Sequence, residues 1–285
     1  MKLTSASDIP TQFVDINCHK IAYRSIGSGM PLILCQRFRG VLDSWDPEFL
    51  DTLAEHFRVI IFDYRGTGNS TGSASYDIDA LTQGVIDLAD SLGIDIFVAG
   101  GWSIGALAVE SLAEKYPDRI SHVLLLGALP VTGSTAPWRS DIYKQARLFD
   151  DNPDHEMALL FGPASTQTEC AARQSYERMA RRTKDRSPAM SDQAYNWLLA
   201  SATDPTHKRA DQRVEQFLAS TDIPILVISG DHDCLSPARN WFECSGVWNS
   251  LHLTVLPRTG HAPHHRFPRL AANIVTAFVA DFDYS

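Results

Sequence analysis

The chain of 285 residues predicts an α/β fold: a mostly parallel central sheet flanked by helices, with an inserted helical cap. Three observations carry this. Short apolar runs of strand length recur along the chain, segments with helical spacing alternate with them, and the alternation stops between Ser134 and Leu218. Hydrophobic residues make up 44% and charged residues 21%, ordinary globular usage that excludes a disordered, collagen-like or disulfide-framework chain. At this length one core serves one catalytic-sized domain, with room for an inserted subdomain.

Phe13 and Ile16, then Ile21, Tyr23 and Ile26, have strand spacing and end in the turn-forming Gly27-Ser28-Gly29, which predicts an N-terminal hairpin. The stretches Pro31 to Cys35, Val59 to Phe62 and Ile94 to Ala99 read as strands buried on both faces. Val123 to Leu126, Ile225 to Ile228 and Leu251 to Leu256 continue the series. Between them, Phe49, Leu50, Leu53 and Ala54, then Leu81, Val85, Leu88, Ala89 and Leu92, then Leu107, Ala108, Ser111 and Leu112, are spaced for helices. Such alternation implies right-handed crossovers and ligands bound beyond the carboxyl ends of the strands. From Ser134 to Leu218 charged helical stretches such as Tyr176 to Arg186 and Ala194 to Leu199 take over. The expected organisation is a core of residues 1–133 and 219–285 and a cap of residues 134–218. The cap holds twelve basic and twelve acidic residues, so the net charge of −9 resides in the core.

Twenty-five Lys+Arg against thirty-four Asp+Glu produce a field that repels phosphate backbones and anionic lipid, which argues against nucleic-acid and membrane partners. Cys18, Cys35, Cys170, Cys234 and Cys244 are odd in number and scattered, with no C-x-x-C pair, and fit a reduced intracellular setting. The N-terminal MKLTSASDIPTQF has no apolar h-region, and the most apolar stretch, Val123 to Leu129, is too short to span a bilayer. A soluble, cytoplasmic protein is expected.

Gly101-Trp102-Ser103-Ile104-Gly105 falls between an apolar strand and a helical segment from Ala106 to Tyr116. A serine in a tight strand-to-helix turn adopts strained backbone angles, and glycines flank it because side chains there would collide with the crossing chain. The turn also sets the serine oxygen at a helix N-terminus, which favours negative charge, and turns the amide of Ile104 toward a developing oxyanion. Without that context a serine between glycines is simply a turn residue.

With these residues the sequence resembles the α/β-hydrolase superfamily over nearly its whole length. Phe62-Asp63-Tyr64-Arg65-Gly66-Thr67-Gly68-Asn69-Ser70 is similar to the family's D-x-R-G-x-G-x-S turn, and Tyr116-Pro117-Asp118-Arg119-Ile120 follows the elbow helix. Gly230-Asp231-His232-Asp233 and Thr259-Gly260-His261-Ala262-Pro263 each follow an apolar strand. The resemblance implies a cofactor-independent serine esterase, enol-lactonase or perhydrolase-like enzyme acting on an ester or lactone of a small, fairly apolar molecule. It implies Ser103 as nucleophile, His261 as base and Asp233 as the acid that orients it, in the family's chain order. Asp231 competes for the acid's place; the family's G-x-x-D spacing selects Asp233 and leaves Asp231 to cap or face solvent. No metal is implied, because His264 and His265 beside His261 lack cysteine or carboxylate companions at zinc-like spacing.

The pattern departs from the family after the first parallel strand, where Gln36-Arg37 stand in place of the usual His-Gly, counting back from Trp45. Phe38 then falls where the second oxyanion amide is supplied, and a backbone amide does not depend on its side chain. Arg37 or Arg39 comes close enough for contact with a substrate carboxylate, the plainer alternative being a surface pairing with Asp43, Asp46 or Glu48. The elbow continues Gly105-Ala106 where many relatives have Gly-Gly. Trp102, bulkier than the residue usual in lipases, is expected to narrow the pocket. In the cap, Trp138, Phe149, Met157, Phe161, Met179 and Trp197 are candidates to line an acyl or ring-binding pocket, Trp138 and Phe161 foremost, although an apolar stripe is more often core. The basic run of Arg178, Arg181, Arg182, Lys184 and Arg186, interleaved with Glu177 and Asp185, reads as a solvated helix face. A serine nucleophile argues against the dehalogenase and epoxide hydrolase types. Perhydrolysis, C–C hydrolysis and a non-hydrolytic cyclase, dehydratase or binding role remain open alternatives.

Overall fold

The computed structural model describes residues 5–75, 77–131, 153–196 and 212–282. Strands β1 (Gln12–Ile16) and β2 (His19–Ile26) form the expected antiparallel hairpin. Asn17 and Cys18, the two residues of its turn, both have positive φ, 49° and 67°, which is the backbone that matches the right-handed twist of paired strands. Then β3 (Met30–Cys35), α1 (Pro47–Leu53), β4 (Phe57–Phe62), α2 (Ile78–Ser91), β5 (Phe97–Trp102), α3 (Ile104–Lys115) and β6 (Ile120–Leu126) alternate. Helices α4 (Pro153–Phe161), α5 (Thr166–Ala180) and α6 (Gln212–Ser220) follow. β7 (Ile225–Gly230), α7 (Arg239–Phe242), β8 (Leu251–Leu256), α8 (Pro263–Arg266) and α9 (Pro268–Asp281) complete the order.

The strands form one eight-stranded sheet in the order β1-β2-β4-β3-β5-β6-β7-β8. The β2–β4 pairing is antiparallel and every pairing from β4 to β8 is parallel. Alternate residues supply two cores. Ile33, Ile60, Ala99, Val123 and Val227 pack with α2, α3 and α6, while Leu32, Leu34, Val59, Val98, Leu124 and Leu226 pack with α1 and α9. Coverage on both sides is why all six residues of β5 and of β7 are buried and why those strands read as continuous apolar runs.

Residues 134–152 and 197–211 of the expected cap, with Trp138, Phe149 and Trp197, lie outside the described residues. Among the described residues from 153 to 218 there is no strand. The last helix of the segment, α6, buries Val214 and Leu218 in the same core as α3, so the segment ends by rejoining the main body.

The basic run requires a correction. Arg181, Lys184 and Arg186 are exposed, but Arg178 and Arg182 are bound to the body beneath. Arg178 grips both oxygens of Asp46 through Nε and Nη2 at 2.6 to 3.1 Å, while the same carboxylate accepts from Ser175 Oγ at 2.6 Å and caps α1 at Glu48 N. Arg182 donates to the carbonyls of Ala6 and Ile9 at 2.9 and 2.7 Å. Nearby, Arg24 and Ser187 N meet Asp43 at 2.6 and 2.7 Å, and Asp63 accepts from Leu42 N, Asn69 N and Ser187 Oγ. Ser175 and Arg178 are three residues apart and share the inward face of α5, and Arg182 continues it beyond the helix end. Among the described residues, no helix is long and apolar enough to cross a membrane.

Candidate active site

Ser103 joins β5 to α3 with φ 58° and ψ −118°, a left-handed conformation that a residue with a β-carbon adopts only under constraint. The glycines around it are sterically required. A β-carbon on Gly101 would sit 2.3 Å from the carbonyl oxygen of Gly105, and one on Gly105 would sit 2.4 Å from that of Cys35. Gly105 therefore lets α3 start directly against the end of β3. Ser103 N donates to Leu126 O at 3.1 Å, which ties the turn to the neighbouring strand. Ile104 is the first residue of α3, so its amide is one of the helix's orphan donors.

His261 and Asp233 arrive on the loops after β8 and β7. Their side chains meet at 2.9 Å, His261 Nδ1 to Asp233 Oδ2, both essentially buried. The other carboxylate oxygen accepts from the amides of Leu235 and Ser236 at 2.9 and 2.8 Å, which fixes the carboxylate plane. Because the carboxylate is an acceptor, Nδ1 carries the hydrogen and Nε2 is the basic nitrogen. That Nε2 is buried and has no hydrogen-bond partner among the described residues. Asp231 turns away: its Oδ1 accepts from Thr259 N at 3.1 Å and from His232 at 2.7 Å. Gly127, at φ 50°, lies so close that a β-carbon would be 2.3 Å from His261 O.

Trp102 braces this loop from below. Its Nε1 donates to His261 O at 2.9 Å, and its ring lies 4.5 Å from His264, 5.1 Å from His265 and 5.8 Å from Trp45. Phe161 packs against Tyr176 and His265. Neither Trp102 nor Phe161 has accessible surface, so both act as packing behind the site and do not line open space. His264 lies among Trp45, Phe49 and Trp102 with neither ring nitrogen bonded. Burial pushes it well below the usual imidazole value, and burial likewise takes His265 down to about 4. Both are neutral packing groups. Their role was available in the sequence only as an unusual histidine cluster, which composition ties to metal as readily as to packing. Among the described residues no group of three or more His, Cys, Asp or Glu is arranged to hold a metal ion.

The loop after β3 is held against the elbow by the pairing of Cys35 with Gly101. Gln36 is fully buried, its carbonyl accepts from Tyr64 Oη at 3.3 Å, and its side-chain amide has no partner. Gly40 N donates to Arg37 O, closing a turn in which Arg39 has φ 60° and Phe38 packs edge-on to Tyr195. The expected surface pairings of Arg37 or Arg39 are corrected. Asp43 is taken by Arg24 and Arg182, and Asp46 and Glu48 by Arg178. Arg37 instead lies 5.1 Å above the Trp102 ring, with Nη1 on Phe38 O and Nη2 on Glu156 of α4 at 2.9 Å. Arg39 stacks over Tyr195. Nothing in the sequence pointed to Glu156, because it meets Arg37 only through the tertiary fold.

A family model described as alpha/beta hydrolase fold matches residues 30–268, and the chain belongs to that family. A pimeloyl-[acyl-carrier protein] methyl ester esterase of Yersinia enterocolitica is 25% identical over 235 residues, 80% of this chain and 85% of that protein. A local match to a protein of Synechocystis sp. reaches 32% identity over 112 residues but spans only 39% of this chain and 41% of that one. Among solved structures, an alpha/beta hydrolase fold protein from Chitinophaga pinensis superposes with a TM-score of 0.84 at 26% identity, covering 97% of this chain and 99% of the other.

Proposed function

We propose that the chain is a serine hydrolase that cleaves an ester or lactone of a small, fairly apolar molecule through an acyl-enzyme on Ser103. The observation that carries this reading is the buried Nε2 of His261, unbonded among the described residues, whose other nitrogen is held by Asp233 at 2.9 Å, together with the strained backbone angles of the elbow serine, Ser103. His261 takes the Ser103 proton as the hydroxyl attacks the carbonyl, and Asp233 keeps the imidazole in the required tautomer and stabilises the imidazolium. The amides of Ile104 and Phe38 receive the oxyanion. His261 then protonates the leaving group, and water repeats the sequence to release the acyl group. Preorganised amides cost no rearrangement when charge develops, so they supply the larger part of the rate. The esterase named among the relatives supports hydrolysis. The five scattered cysteines with no C-x-x-C pair support a reducing, cytoplasmic setting, and no cofactor enters any step.

A second reading, a non-hydrolytic cyclase, dehydratase or binding protein, draws on Gln36-Arg37 and the unpaired amide of Gln36. C–C hydrolysis or perhydrolysis would use the same three residues. Turnover of short p-nitrophenyl esters and simple lactones by wild type and Ser103→Ala separates the readings. Turnover that vanishes with Ser103 supports the hydrolase; binding without product, unaffected by Ser103→Ala, supports the second.

A further inference from the structure

The described arginines that join main body to cap differ in how their partners are held. Asp43 and Asp46, which take Arg182 and Arg178, are 7% and 0% exposed and accept several bonds each. Glu156, which takes Arg37, is 46% exposed and offers one oxygen to one nitrogen. Buried, multiply bonded pairs are structural. An exposed single-contact pair contributes little and is readily exchanged.

Arg37 also has donors to spare. Nη1 reaches Phe38 O and Nη2 reaches Glu156, but Nε is buried with no partner among the described residues, an arrangement that is costly to leave unmade. A second idle donor lies within electrostatic reach of it. The Tyr176 hydroxyl is buried and unbonded, and it is near enough to feel the charges of both Glu156 and Arg37; burial first, then Glu156, holds its proton on. Away from its buried hydroxyl, Tyr176 lines an open cleft of about 410 Å³ with Met157, Ala172 and the charged Glu169, Arg173 and Glu177. The guanidinium lies over Trp102, whose chain neighbour is Ser103, and adjoins Phe38. Its charge is felt at His264 and His265, which pack on the same Trp102 ring.

We propose that Arg37, with the hydroxyl of Tyr176, is a carboxylate-binding subsite of the substrate pocket, occupied in the free protein by Glu156. The substrate class is then an ester or lactone that bears a free carboxylate, an assignment that rests on the Ser103 hydrolase reading. A carboxylate fits better than a phosphate. It presents two coplanar oxygens to the Nε–Nη2 edge of a single guanidinium, and a chain of net charge −9 disfavours more highly charged ligands. Release of Glu156 frees that edge to turn toward the ligand, satisfies Nε, and returns Glu156 to water that it already half occupies.

The test compares mono-p-nitrophenyl adipate with p-nitrophenyl hexanoate, equal in length and differing in the terminal carboxylate, on wild type, Arg37→Met, Arg37→Lys and Glu156→Gln. The readout is the ratio of the two kcat/KM values. It is expected to favour the adipate in wild type, to fall by about tenfold or more in Arg37→Met through KM, to recover in part in Arg37→Lys, and to rise in Glu156→Gln. A ratio that is unchanged in Arg37→Met, with both esters slowed together, makes Arg37 structural and overturns the proposal. If wild type turns over neither ester, the hydrolase reading fails, and the subsite is judged by calorimetric affinity for 6-amino-6-oxohexanoate against hexanamide. A carboxylate preference lost in Arg37→Met supports the subsite, and equal affinities overturn it.

Discussion

Ser103 holds a backbone conformation, φ 58°, that costs a residue with a β-carbon on the order of 1–3 kcal/mol. Glycine adopts it freely. Ser103→Gly is therefore expected to raise thermal stability by about 1 kcal/mol while turnover disappears, and an unchanged or lowered Tm would mean that the turn is not strained. The acid can be assigned by a paired substitution. Asp233→Asn places an amide against His261 Nδ1 and favours the wrong tautomer, so kcat is expected to fall about 10⁴-fold. Asp231→Asn, which disturbs the bonds from Thr259 N, Arg258 N and His232, should leave kcat within a few-fold. Reversal of the two effects would give Asp231 the role. At this scale the backbone of the elbow was legible in the sequence: glycines stand where a β-carbon would collide with Gly105 or Cys35, around a serine held at φ 58°. Trp102 was legible as bulk but not as a brace, because its bond to His261 O crosses 159 positions of chain.

At the scale of elements, the attachment of α5 depends on a carboxylate with no access to water. Asp46 is 0% exposed and Arg178 is 13% exposed. Arg178→Met leaves that charge buried and unpaired, which is expected to cost about 3–5 kcal/mol, read as a shift in the urea midpoint. A change under about 1 kcal/mol would place the pair among ordinary surface ion pairs. Charge interleaving along Glu177 to Arg186 suggested a solvated face, and for Arg181, Lys184 and Arg186 that reading agrees with their exposure. It missed Arg178 and Arg182 because their acceptors, Asp46 and the carbonyls of Ala6 and Ile9, lie more than 130 positions away, where local periodicity carries no signal. The parallel strands were legible for the opposite reason: helices on both faces impose an apolar residue at every position, a pattern contained within six residues.

Across the whole molecule, two neutral histidines packed beneath the site link its stability to pH. An unfolded imidazole takes a proton near pH 6.5, whereas His265 in the fold takes one only near 4. The lowered value makes the native state fully favoured above about pH 6.5 and progressively less so as pH falls toward 4, by on the order of 3 kcal/mol. His264 acts in the same direction. The Tm of wild type is expected to decline more steeply from pH 7 to pH 5 than that of His265→Gln, and parallel declines would remove His265 from the account. The measurement that bears most directly on the central claim is intact mass after treatment with a small fluorophosphonate, on folded wild type, Ser103→Ala and His261→Ala. The triad reading predicts one adduct on wild type, none on Ser103→Ala and strongly slowed labelling of His261→Ala. An unlabelled wild type, or an adduct that persists in Ser103→Ala, would contradict it.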